Sequence, residues 1–92
     1  MVLHLILEKI RKLPVGYSEV IYLKRKYGVT RTDFNKGKSS KVYAEELGGN
    51  DFISLNFYVT EGGEHLKPCE MPTKKVIDFL NGHTLVGKTE DE

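Results

Sequence analysis

Between Tyr17 and Thr60 apolar and aromatic side chains follow a period of two in runs separated by turn residues, most plainly over Ile53–Val59, and on either side of that stretch they recur at helical spacing. A period of two lines one face of a strand, and a period of about 3.6 lines one face of a helix. The chain is therefore committed to a sheet with a helix at each end. β-Branched and aromatic residues dominate the middle stretch, as a pleated surface favours.

Leu3, Ile6, Leu7, Ile10 and Leu13 form the first helical stripe, within residues 2–13, and Pro14 stops it. Val2 and Leu5 widen its apolar face, which predicts a helix set deep against the sheet or touching a second subunit. The second helix is expected over residues 72–81. Pro72 stands at its first position, Val76, Phe79 and Leu80 repeat at i, i+3 and i+4, and Asn81-Gly82 supplies the C-cap.

Turn residues divide the middle stretch into strands expected at 18–24, Val29–Phe34 after a turn at Gly28, Ser40–Leu47 and Asp51–Thr60. Gly37, within Asn35-Lys36-Gly37-Lys38, is the expected positive-φ position. His65-Leu66-Lys67 predicts a short fifth strand. The fourth strand has the clearest parity: Ile53, Leu55, Phe57 and Val59 on an apolar face, Phe52, Ser54, Asn56 and Tyr58 on a mixed one. The apolar set and the two helical stripes form the expected core.

The expected fold is α+β: an N-terminal helix, an antiparallel meander of four to five strands and a C-terminal helix, with both helices on one sheet face. Residues 1–82 are read as a single domain and 83–92 as a flexible acidic C-terminal tail. A chain of 92 residues buries only about 60–65% of its unfolded surface, so dimerisation would add stability it otherwise lacks. A homodimer is expected.

Net charge is only +1, which argues against bulk electrostatic binding to nucleic acid. Residues 1–41 nevertheless carry +7 and residues 42–92 carry −6. Either the protein has a basic and an acidic side, or antiparallel pairing interleaves the two halves. No apolar run approaches the roughly 20 residues of a spanning helix, and no export signal opens the chain. A cytoplasmic protein without membrane contact is expected. Cys69 is the sole cysteine, His4, His65 and His83 lack ligand spacing, and no phosphate-loop, zinc-protease or serine-hydrolase pattern occurs. Neither a metal nor a cofactor is expected.

Two groups of residues carry candidate chemistry. On the second sheet face, Phe52 and Tyr58, with Tyr22 or Tyr43 and with Lys24, Arg31 or Lys41, would alternate rings and cations. Single-stranded nucleic acid requires that alternation, because bases stack on rings and cations meet phosphates. Cross-strand packing or a dimer interface accounts for the same residues. Cys69 precedes the second helix, whose dipole, with Lys67, favours a thiolate, while Glu70 opposes ionisation. The competing reading is a small buried apolar residue. Glu45-Glu46 and Gly48-Gly49-Asn50-Asp51 read as a solvated acidic hairpin and match no calcium-loop spacing.

Two resemblances add expectations. The basic sheet followed by a helix, with Phe34-x-x-Gly37-Lys38 and Ile53-Ser54-Leu55, resembles the single-stranded-DNA-binding domain of the transcriptional coactivator PC-four family. That likeness implies DNA contacts from the strands and dimerisation through the helix. The run Val42–Tyr58, followed by Leu66-Lys67-Pro68-Cys69-Glu70-Met71-Pro72 and Val76-Ile77-Asp78-Phe79-Leu80, resembles short bacterial proteins often labelled peptide methionine sulfoxide reductase. That label implies a Cys69 thiolate attacking sulfoxide sulfur, Glu70 or Glu64 as proton donor, and an external thiol to resolve the sulfenic acid. The chain lacks the Gly-Cys-Phe-Trp stretch of the A-type enzymes and the Cys-x-x-Cys pairs of the B-type. The expectation is a non-enzymatic binding or accessory protein, of a kind suited to a mobile gene cassette, acting as a homodimer. The alternatives are a nucleic-acid module built on Tyr22, Lys24, Arg31, Lys41, Phe52 and Tyr58, and a Cys69-dependent reductase.

Overall fold

The computed structural model describes residues 3–86; Val2 and the tail residues 87–92 lie outside the described residues. Helix α1 (Leu3–Arg11) leads into strands β1 (Gly16–Tyr22), β2 (Arg25–Phe34), β3 (Ser39–Glu46), β4 (Phe52–Thr60) and β5 (Gly63–Pro68). Helix α2 (Thr73–Gly82) and a two-residue strand β6 (Thr84–Leu85) follow. The strands form one antiparallel sheet in the order β5-β4-β3-β2-β1-β6. The architecture is α+β as expected, but with six strands rather than four to five.

The extra strand has a tertiary origin. After α2 crosses the sheet the chain arrives at the β1 edge, where Val20 pairs with Leu85 and Ile21 with Thr84, and Val86 N–H donates to the Glu19 carbonyl. Two residues carry no periodic signal, so Thr84 and Leu85 read as tail in the sequence and join the sheet in the structure. They shield part of an edge that would otherwise offer unpaired backbone groups.

The first hairpin also differs from the sequence reading. Leu23 and Lys24, both with positive φ (51° and 66°), form its two-residue loop. Such loops match strand twist and usually draw Gly or Asn, which neither position supplies. Gly28 is no turn residue; it pairs with Glu19 inside β2, and a Cβ there would stand 2.5 Å from the Tyr17 hydroxyl oxygen. The glycine makes room for a ring lying across the sheet. Gly37 adopts positive φ (88°), as predicted.

The core lies between the helices and one sheet face. Ile53, Leu55 and Phe57 are buried with Val42, Ala44, Val29, Tyr27 and Val20 from the neighbouring strands, and Val59 is partly buried. Ile6, Leu7, Ile10 and Leu13 cover them from the α1 side and Val76, Phe79 and Leu80 from α2, so the predicted parity of the fourth strand and both helical stripes hold. Pro72 stands at the N-cap of α2, one position earlier than expected. Gly82 ends the helix without a left-handed conformation, and its missing side chain lets Tyr22 approach, since a Cβ would lie 3.0 Å from the Tyr22 ring.

Two polar ties lock the helices down. Arg31 donates from Nη1 to the carbonyls of Leu13 (2.6 Å) and Arg11 (3.2 Å), beyond the end of the α1 ladder, and to that of Ile10 (3.5 Å), which also accepts from the Leu13 N–H (3.0 Å). Its Nε and Nη2 donate to Asp33 (3.0 and 2.7 Å), which also accepts from Ser40 (2.8 Å). At the other end Asp51 accepts from Lys75 of α2 (2.6 Å) and from the Tyr27 hydroxyl (2.7 Å). Arg25 pairs with Glu46 at 2.7 Å, so the fold joins the basic and acidic halves of the chain.

These contacts set a pH dependence. The hydrogen bond from Arg31 holds the Asp33 carboxyl below its usual range, the one from Lys75 does the same to Asp51, and burial lowers the imidazole pKa of His83. In each case the unfolded chain binds the proton more readily, so stability rises with pH. The His83 contribution is complete above about 6.5, the ordinary histidine value, and is lost as pH falls below it. The carboxylate contributions are lost below about 4. Urea midpoints measured across pH are therefore expected to fall in two steps, with His83→Gln flattening only the upper one. An unchanged upper step in that variant would refute the assignment.

Candidate functional site

Strand alternation places the remaining side chains on the face that no helix covers. Cross-strand pairing arranges them in rows perpendicular to the strands. Tyr17, Thr30, Tyr43 and Ser54 make a middle row. To one side lie Glu19, Gly28, Glu45 and Phe52; to the other lie Thr32, Lys41, Asn56 and Lys67. Beyond the second of these come Phe34, Ser39, Tyr58 and His65.

This face is open and aromatic. Tyr17 is 62% exposed, Phe34 50%, Tyr43 39% and Tyr58 36%. The Tyr43 and Phe52 rings lie 6.1 Å apart, and Lys75 reaches to 5.7 Å from the Phe52 ring. Charge is graded along the strands: an acidic row with Glu19 and Glu45, then the tyrosine row, then a basic row with Lys41 and Lys67. Lys26 reaches Glu19 at 3.7 Å. Among the described residues no ion-pair partner meets Glu45, Lys41 or Lys67. Next to the Phe34 row, Asn35, Lys38, Ser39, Tyr58, Val59, Thr60 and Glu61 line an open groove of about 600 Å³.

Of the residues assigned to this face from the sequence, the structure brings Lys41, Phe52 and Tyr58 together, with Tyr43. Tyr22 is on the helix side, edge-on to Phe79 (5.1 Å) and Tyr27 (5.9 Å). Arg31 is on that side too, bound to α1, and Lys24 is in the first hairpin loop. The reason is parity: Val20 is buried, and Tyr22 two residues on shares its face. Tyr17, Phe34, Lys67, Glu19 and Glu45 were missed. On β1 both parities carry an aromatic, Tyr17 on one and Tyr22 on the other, so only the depth of Val20 distinguishes them.

The residues tied to sulfoxide chemistry are dispersed. Cys69 is half-buried and extends the β5 ladder, its N–H donating to the Ser54 carbonyl (2.9 Å) and its sulfur accepting from Asn56 Nδ2 (3.4 Å). It precedes the first helical residue, Thr73, by three intervening residues rather than capping the helix. Glu64 has the opposite parity and lies 3.8 Å from His4 of α1. Glu70 is exposed, with φ of 62°. In the acidic hairpin, Glu46 and Asp51 are engaged with Arg25, Tyr27 and Lys75, while Glu45 points to the open face. Among the described residues no three His, Cys, Asp or Glu side chains are grouped to hold a metal ion.

No protein-family model, curated protein or solved structure matches the chain.

Proposed function

We propose that this chain is a small non-enzymatic binding protein that acts as a homodimer through the uncovered face of its sheet. One observation carries the reading. Both helices cover the same face, and the other, which in a solvated antiparallel sheet is polar, exposes rings from every strand between β1 and β4. These rings are 36–62% exposed, so burying them removes that fraction of the about 150–250 Å² an aromatic side chain can bury. Five strands and four rows span about 20 by 20 Å in projection. That projection of about 400 Å², before side-chain relief is added, compares with the roughly 800 Å² of accessible surface that each partner of a standard interface contributes. The reading includes a cytoplasmic setting, which suits a single thiol; among the described residues no helix is long and apolar enough to cross a membrane.

A nucleic-acid reading draws on the same face, where Lys41 and Lys67 flank Tyr43 and Tyr58. Glu19 and Glu45 amid the rings repel phosphates, which favours a second protein copy. Sedimentation at about 100 μM, well above a micromolar Kd, is expected to give twice the chain mass. Labelled single-stranded oligonucleotide is expected to show no salt-dependent anisotropy change. A monomer that binds the oligonucleotide would replace the first reading with the second.

A further inference from the structure

We infer that the second copy docks by a two-fold axis that runs along the middle row and through Tyr43, so that Glu45 of each copy meets Lys41 of the other. The inference rests on the homodimer reading and adds its register. A closed dimer formed by one face uses an axis lying in the interface plane. Three orientations of that axis give different charge maps. An axis parallel to the strands sets the acidic row on itself and the basic row on itself, a like-charge contact that disfavours assembly. A diagonal axis sets both charges on Thr30 and Ser54.

An axis along the row of Tyr17, Thr30, Tyr43 and Ser54 instead exchanges the rows on either side while leaving each strand over its own counterpart. Glu45 and Lys41 stand two positions either side of Tyr43 on β3, so each then faces the other across the interface. On β4 Phe52 faces Asn56, and on β2 Lys26 faces Phe34, a cation over an exposed ring. Tyr43 sits on its own copy at the axis. The strands of the two sheets stay nearly aligned, as in packed β-sandwiches. This orientation alone gives Glu45 and Lys41, neither with an ion-pair partner among the described residues, opposite charges to meet.

Charge reversal tests the register. Both side chains are exposed, so Glu45→Lys and Lys41→Glu are expected to fold, checked by circular dichroism. Each substitution occurs twice in the dimer, and each is expected to weaken self-association by at least about tenfold in sedimentation. The double variant is expected to return to within about threefold of the starting Kd, because it exchanges the charges and restores the pairs. A dimer indifferent to both single changes would overturn the register while leaving the homodimer reading intact. Loss in the single variants without recovery in the double would overturn the register. A monomeric starting protein would overturn the homodimer reading itself.

Discussion

Phe79→Ala is expected to lower the unfolding free energy by about 3–5 kcal/mol, the range for a fully buried aromatic truncated in a core. Phe79 is inaccessible to solvent and sits at the centre of a ring cluster, with Tyr22 at 5.1 Å, Tyr27 at 5.5 Å and His83 stacked at 5.3 Å. Those rings come from β1, β2 and the end of α2, so collapse into the cavity would require three elements to move together. Tyr27 is further held by its hydrogen bond to Asp51. The cavity therefore stays largely open, and the loss falls in the upper part of the range. Because α2 delivers the chain to β6, amide exchange at Leu85 and Val86 is expected to accelerate alongside. Urea unfolding gives the free energy. A loss below about 1 kcal/mol, in a range where Phe→Ala core changes do not fall, would mean that the cluster repacks.

The second large effect is expected at Arg31. Arg31→Ala removes the donors that satisfy the carbonyls ending α1 and leaves the Asp33 carboxylate with only Ser40. The Arg31 side chain is 11% exposed and Asp33 25%. Breaking a fully buried pair costs about 3–5 kcal/mol, and partial solvent access at Asp33 reduces this to roughly 2–3 kcal/mol. Arg31→Lys is expected to recover little of it. One ammonium cannot address the carbonyls and both carboxylate oxygens at once, whereas the guanidinium fork does. Full recovery by lysine would show that charge alone, and not geometry, secures α1. Asp33→Asn is expected to be milder than Arg31→Ala, since it leaves the helix carbonyls capped.

The order and type of the long elements were legible because each rests on local periodicity. The stripes Ile6, Leu7, Ile10 and Val76, Phe79, Leu80 fit only a helix with one buried face. Ile53, Leu55 and Phe57 fit only a strand with that parity, since the opposite choice would put three large apolar side chains in water. Gly37 was legible for the same local reason, as a positive φ suits a residue without Cβ.

Where both parities of a strand look alike, periodicity is silent. On β1 the register against β2 buries Val20, which sends Tyr22 to the ring cluster and Tyr17 across Gly28 on the open face. The sequence could not distinguish them, so of the six residues assigned to the open face Lys41, Phe52 and Tyr58 lie on it, while Tyr22, Lys24 and Arg31 do not. The Leu23-Lys24 loop was hidden because its left-handed residues are imposed by pairing on both sides rather than by their own preference. β6 was hidden because two residues form a strand only once α2 has brought them to an edge. Sequence by itself determined the two helices, the order of the long strands and which face of β4 is buried, since burial of apolar stripes is a short-range pattern. Tertiary structure alone decided strand register, and with it which rings and charges share the open face, because a one-residue shift in pairing moves every side chain of a strand to the other side.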